Sequence, residues 1–222
     1  VSPKVGQEKM RRSQVINAAL ECLAEKGFEE LTLDIVAEKA GVSKGVLMYY
    51  FDSKKDLMLQ AFRAFLEYYN EVVESVITPK MTGQEMLDLM KVFMFEEEPG
   101  RGKSIRKDQS VTARNKTSAS GIRIERGMMP RLFVHFYSKT LTDTDFQKVL
   151  NDVYRKYYKG MKMILRYGWL KREFRKVDTA KVSYGLMALA DGMILYRVLG
   201  FQPIKDSEIV ETWDIFTRSL LK

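Results

Sequence analysis

Between Thr32 and Leu57 the chain reads TLDIVAEKAGVSKGVLMYYFDSKKDL, and this stretch constrains the fold more than any other. It spells two short helices about a tight turn, followed by the start of a longer helix. Thr32 can cap the first helix, its hydroxyl accepting an otherwise orphan amide of the first turn. Leu33, Val36, Ala37 and Ala40 recur at helical spacing and form one apolar stripe. Gly41 falls where the chain reverses, and a left-handed backbone there is cheap only for glycine. Val42 plugs the corner, and Ser43 is placed to cap a second helix through Tyr50. This is the helix-turn-helix pattern, in which the second helix enters the major groove and the first braces it.

The second helix has a spacing that assigns its faces. Leu47 and Phe51 are four apart and pack on the first helix. Lys44, Gly45, Met48 and Tyr49 then point away from the core. Gly45 lets the backbone approach DNA closely near the helix start. The hydroxyls of Tyr49 and Tyr50 suit phosphate oxygens, and Lys54 adds a cation at the next phosphate. The expected DNA-binding set is therefore Thr32, Ser43, Lys44, Gly45, Met48, Tyr49, Tyr50 and Lys54.

Length and composition exclude several classes. A chain of 222 residues has ample core for one large or two smaller domains. It lacks a run of about 18 apolar residues to span a membrane, and its start shows no signal peptide. A single cysteine, Cys22, allows no internal disulfide and fits a reducing compartment, so a cytoplasmic location is expected, with Cys22 a small buried hydrophobe. A single histidine, His135, cannot build a metal cluster. With no phosphate loop, no metal-ligand spacing and no nucleophile–base pair, neither an enzyme nor a cofactor or metal is expected. The net charge of +8 suggests a nucleic-acid partner, yet residues 1–57 carry nine basic and nine acidic side chains. The case for DNA therefore rests on motif geometry, not on bulk charge.

In chain order, residues 1–9 read as a frayed arm and 11–26 as the first helix, with Ile16, Ala19, Leu20 and Leu23 inward and Gly27 ending it. Phe28 is expected to plug the three-helix core. A long helix over 53–77 is the natural lever between the reader and the body, and a further helix covers 83–95. Residues 96–131 lose all helical period; nine basic against two acidic side chains in 101–131 make them an atypical basic loop or a non-specific phosphate-binding tract. Helices return over 132–141, 143–169, 179–199 with Asp178 as N-cap, and 207–220, with Pro203 between the last two. No segment alternates as a strand does.

Residues 10–57 resemble the DNA-binding domain of the TetR family of bacterial transcriptional regulators. The likeness runs through RRSQVINAALECLAEKGF, AEKAGVSKGVLMYYF and SKKDL in order and without a gap. The family commonly has Tyr, Tyr, His where this chain has Met48, Tyr49, Tyr50, so Tyr50 stands in for an imidazole. Asp34 lies where many members place a basic or neutral groove-facing residue. GWLKREFRKVDTAKVSYGLMALADGMILYRVLG, residues 168–200, resembles the family's C-terminal region more loosely.

The resemblance implies an all-α chain. A three-helix helix-turn-helix domain (1–57) would precede a helical ligand-binding and dimerisation domain (58–222). It further implies that the last two helices pair with their copies across a two-fold axis. Leu186, Leu189, Met193, Tyr196, Trp213 and Phe216 are too many apolar residues for one buried stripe and are assigned to that homodimer interface. It also turns a Met-rich and aromatic population into a pocket. Met90, Phe93, Met94, Phe133, His135, Tyr137, Met161, Tyr167, Met187 and Asp191 are the expected contacts to a small-molecule effector of unidentified chemistry. The function expected is a repressor released from a palindromic double-stranded DNA operator by its effector, with no membrane partner. An activator of the same fold and a helical adaptor that binds no DNA are the alternatives.

Overall fold

The computed structural model describes residues 3–95, 121–201 and 205–222. Among them are nine helices: α1 (Pro3–Glu30), α2 (Leu33–Lys39), α3 (Lys44–Tyr50), α4 (Lys54–Val76), α5 (Gly83–Phe95), α6 (Met129–Thr140), α7 (Thr144–Leu170), α8 (Thr179–Val198) and α9 (Asp206–Arg218). A 3-10 turn, Arg126–Met128, precedes α6, and a single β-bridge joins Phe174 to Leu221. Most of the stretch read as a basic loop, 96–120, lies outside the described residues, as does Pro203. Local signals set the helix starts. Thr32, Ser43 and Ser53 hydroxyls each accept the amide three residues on. Thr82 and Glu85 form a reciprocal capping box before α5. Asp178 accepts from the amides of Ala180 and Lys181, and those bonds hold its carboxyl below the usual range.

One correction concerns the start of the chain. The helix begins at Pro3, so the expected frayed arm is helical from its third residue. Proline is tolerated in a first turn, and the helix runs on through Gly6 without a non-helical residue until Gly27. There φ is 76° and the helix kinks.

Two compact units make up the chain, Val1–Val72 with Asn115–Asn151, and Val73–Arg114 with Asp152–Lys222. The first is larger than the expected reader, because it takes in α6 and the start of α7. Within this first unit an aromatic cluster fastens α6 and the start of α7 to α1 and α4. Phe62 stacks on Phe136 at 4.3 Å between centroids, and Phe65 meets Phe133 edge-on at 4.9 Å. Phe28 sits edge-on to Phe136 and Phe146, so it packs on α6 and α7, where the three-helix core alone was expected. Lys55 bridges Asp143 and Asp145 at 2.9 and 2.8 Å. The Asn17 side chain clips a passing backbone to α1, donating to the Gly121 carbonyl at 3.1 Å and accepting from the Arg123 amide at 3.0 Å. Ile122 and Ile124 are buried beside that clip.

In the second unit α5 packs on α9, and α8 packs on both. Trp213 is wholly buried there, and Leu186 and Met193 are buried as well. Three residues expected at a dimer interface are thus used inside the unit, because α8 and α9 must bury one another's inner faces before they can offer an outer one. Leu189 is half-buried, while Tyr196 and Phe216 are exposed. The apolar surface left over includes Tyr184, Leu195, Leu199 and Ile215, none of them among the residues assigned to the interface from the sequence.

Candidate nucleic-acid interface

The short helix α3 turns one face inward. Leu47 and Phe51 are buried, and the Phe51 amide closes the helix on the Leu47 carbonyl. On the other side Lys44 and Gly45 are exposed, Met48 is 43% exposed and Tyr49 is 78% exposed, so the predicted outward face is the observed one. Val46 joins it at 40% exposure. Its inward or outward choice was not legible, since a lone valine between a glycine and a leucine carries no periodic signal. Tyr50 is half-buried, its ring edge-on to Tyr49 at 5.1 Å, which limits the rotamers of both phenols. Gly45 has open space where a Cβ would be, apart from the Ser43 hydroxyl at 3.9 Å.

Around this helix the turn and its neighbours are braced. Gly41 has φ of 62°, and Val42 hydrogen-bonds back to the Ala37 carbonyl at 3.0 Å. The Gln14 side chain donates to the Ala40 carbonyl at 2.6 Å. Lys39 reaches Glu25 and Glu21 on α1 at 3.0 and 3.4 Å, and these carboxylates raise its pKa. Lys54 donates to the Phe28 carbonyl at 2.7 Å, so it ties α4 to the end of α1, with further donors to spare for a phosphate. Lys44 and Asp34 pair at 2.9 Å across the two short helices. Asp34 on α2 thus shares the cation at the start of α3, and any phosphate approaching Lys44 would have to compete for it. Cys22 is buried and its thiol pKa is pushed up by burial, the behaviour of a packed hydrophobe.

The expected effector contacts are distributed between the units. Phe133, His135 and Tyr137 lie on α6 in the first unit. Phe133 is committed to Phe65, and the half-buried His135 packs against Gly27, where an added Cβ would meet its ring at 3.1 Å. Burial, then Arg131, lowers the His135 pKa. Met90, Met161, Tyr167, Met187 and Asp191 belong to the second unit. There the Tyr154 hydroxyl lies 2.8 Å from each carboxylate oxygen of Asp191. The side chains of Phe93 and Met94 lie outside the described residues. An open groove of about 660 Å³ along α1, lined by Ser13, Gln14, Asn17 and Gly121 among others, includes none of the ten.

Sequence reasoning missed a buried polar group in the second unit. Lys91 is almost wholly buried and pairs with Asp214 at 2.6 Å, with Asp88 at 3.9 Å. Gln84 donates to Asp88, while its own side-chain oxygen is buried without a hydrogen-bond partner among the described residues, as is the Ser183 hydroxyl. Polar atoms of this kind are what a ligand's own polar groups can satisfy. Gln84, Asp88 and Lys91 follow helical spacing on α5, a signal that could have flagged them against an otherwise apolar face.

Residues 15–61 match the family described as bacterial regulatory proteins, tetR family. The fatty acid metabolism regulator protein of Bacillus subtilis (strain 168) is 32% identical over 84 residues, which are 38% of this chain and 43% of that protein. The HTH-type transcriptional regulator BetI of Escherichia coli O139:H28 (strain E24377A / ETEC) is 22% identical over 204 residues, 91% of this chain and 89% of that one. A transcriptional regulator from Saccharomonospora viridis, solved in complex with choline, superposes with a TM-score of 0.77 at 18% identity, over 95% of this chain and 96% of that one. At that identity the likeness establishes a shared fold.

Proposed function

From a chain whose helix-turn-helix is that of the tetR family of bacterial regulatory proteins, we propose a homodimeric repressor that leaves a palindromic operator when an effector binds its second unit. The exposed face of α3 carries the reading: a capped and braced helix presents Lys44, Met48 and Tyr49 to solvent, with Tyr49 78% exposed. Two such helices related by a dyad would enter successive major grooves about 34–36 Å apart. To release the operator, effector must favour the non-binding arrangement by about 5.5 kcal/mol if the starting ratio is near 99:1.

The test is selection from a random duplex library. Wild-type protein should enrich one palindrome, and Tyr49→Ala should enrich none while folding normally. Enrichment of an unchanged sequence by Tyr49→Ala would move recognition away from α3, and no enrichment by either protein would favour an adaptor.

Within the second unit, Lys91 and Asp88 are buried, and Asp214, about a quarter exposed, is shared between Lys91 and Arg218, so the charges there balance. The Gln84 oxygen and Ser183 hydroxyl, unpartnered among the described residues, support an effector with a polar head group, and the ligand of the structural neighbour favours a cationic one. Choline, bound by the structural neighbour, is the first probe and a long-chain fatty acid the contrast. Ligand at about 100 times its Kd adds about 2.7 kcal/mol to stability, a shift readable in a thermal melt. A shift with the fatty acid alone would reverse the assignment.

A further inference from the structure

Two stretches hold the chain's positive surplus, 101–131 and 153–177, and the second lies wholly in the second unit. It carries nine Lys and Arg against one acid, Glu173. Its geometry is that of a presented surface. Along α7 the side chains of Val153, Met161 and Leu165 are buried. On the opposite side Arg155, Lys156, Lys159 and Arg166 are exposed at three- and four-residue spacing, and Lys162 lies over the Tyr158 ring at 5.3 Å. Beyond α7 the chain turns sharply at Arg172, a non-glycine residue with φ of 61°.

That turn is locked. The amides of Glu173 and Phe174 both donate to the Gly168 carbonyl, at 2.9 and 3.1 Å. Arg175 donates to the Leu220 carbonyl at 2.8 Å, and the Lys222 amide returns to Glu173 at 3.2 Å. The Phe174 ring occupies the space over Gly168 and Gly83, where a Cβ would come within 2.3 and 2.8 Å of it. Glu173 turns its carboxylate inward to the Gly83 amide at 2.6 Å, so the one acid of the stretch is committed inside the fold. Lys171, Arg172, Arg175 and Lys176 are left exposed on a fixed loop. Arg155 pairs with Asp152, whereas among the described residues Lys156, Lys159, Arg166, Arg172, Arg175 and Lys176 form no ion pair. Crowded like charges repel, so beyond the local contacts of Arg155, Lys162 and Lys171 this density works against the fold, a cost that an external polyanion would offset.

We propose that this ridge is a second nucleic-acid contact, carried by the regulatory unit, which holds the phosphate backbone of duplex DNA without reading its sequence. Such cations act by displacing counterions condensed on the duplex, and they need a linear array more than a groove. An anionic bilayer is the other polyanion of comparable density. Its peripheral binding relies on apolar anchors set among the cations, and between Arg155 and Arg166 the only exposed apolar side chain is Met163, with Trp169 and Leu170 at the helix end. The contact is separate from α3 and does not depend on operator recognition.

The experiment uses the full-length protein and a duplex of roughly 40 base pairs of mixed sequence, titrated from about 50 to 200 mM KCl. Lys159→Gln/Arg166→Gln/Arg175→Gln should lower the salt slope by about 2.7 and weaken binding about tenfold. All three side chains are exposed, so circular dichroism and the melting temperature should match wild type. Tyr49→Ala, which tests the α3 reading, should lose operator selection and keep the ridge-dependent part of the slope. An unchanged slope in the triple variant overturns the proposal. So does a variant that still binds duplex as wild type does but no longer binds phosphatidylglycerol vesicles, which would make the ridge a lipid contact.

Discussion

On the proposed reading, Asp34 and Lys44 would decide how strongly α3 attracts a phosphate before any base is read. Their pair is exposed on both sides, so it is worth at most about 1 kcal/mol, and a phosphate can displace it. Asp34→Ala should therefore tighten DNA binding several-fold and steepen its salt slope by about 0.9, as one more cation becomes available; an unchanged slope would show Lys44 idle. Gly27 is a second such position. Its φ of 76° and the His135 ring against it make Gly27→Ala costly, by about 1–2 kcal/mol for the backbone alone. His135 itself predicts a pH dependence. Burial lowers its folded pKa, so over the intervening window the unfolded chain binds more protons. Stability is then full above the ordinary histidine value of about 6.5 and falls as pH drops through it. Urea unfolding across that range should show a shallower decline for His135→Gln; equal declines would remove the histidine from the account. The caps and the Leu47–Phe51 face were legible because they depend on neighbours three or four residues away. The Asp34–Lys44 pairing was not, since it crosses a turn and depends on rotamers.

For whole helices, legibility followed the range of the interactions. The bounds of α5 and the Asp178 start of α8 were readable from amphipathic period and capping chemistry. The first helix was read too short because nothing local distinguishes a frayed arm from a polar first turn. The assignment of α6 to the first unit rests on Phe28, Phe62 and Phe65 meeting Phe133 and Phe136, contacts between residues far apart in sequence. Lys91 teaches the same lesson in charge, since its partner Asp214 lies 123 positions away. Removing one side of a buried pair strands the other, which costs about 3–5 kcal/mol. Lys91→Ala should sit at the low end of that range in urea unfolding, because Asp214 keeps partial access to water. Lys91→Ala with Asp214→Ala should recover part of the loss. A double variant no better than the single would mean that the lysine's packing, and not its charge, is what the fold uses.

At the scale of the whole molecule, the proposed palindromic operator would require a dyad, and the second unit exposes an apolar surface suited to one. The helices α8 and α9 pack against each other and still expose Tyr184 at 72%, Tyr196 at 51%, Ile215 at 68% and Phe216 at 52%. The sequence signalled a surplus of apolar residues on these helices but could not divide it, because burying Trp213 and burying Tyr196 look alike in a periodic pattern. Stable pairing needs about 1,200–2,000 Å² in total, most of it around a few large anchors. A carboxylate on each of two anchors should abolish it, since both copies of every charge would be desolvated in an isologous contact. Tyr196→Glu/Phe216→Glu is therefore expected to run as a folded monomer in light scattering at micromolar concentration. It should lose selection of a palindrome and keep salt-dependent binding to random duplex through whatever cations each monomer retains. Tyr49→Ala, measured beside it, should lose palindrome selection as well but remain a dimer, so the oligomeric state separates the two defects. A double-glutamate variant that stays dimeric would place the dyad on another face, and the spacing of the two α3 helices would then have to be derived from that face instead.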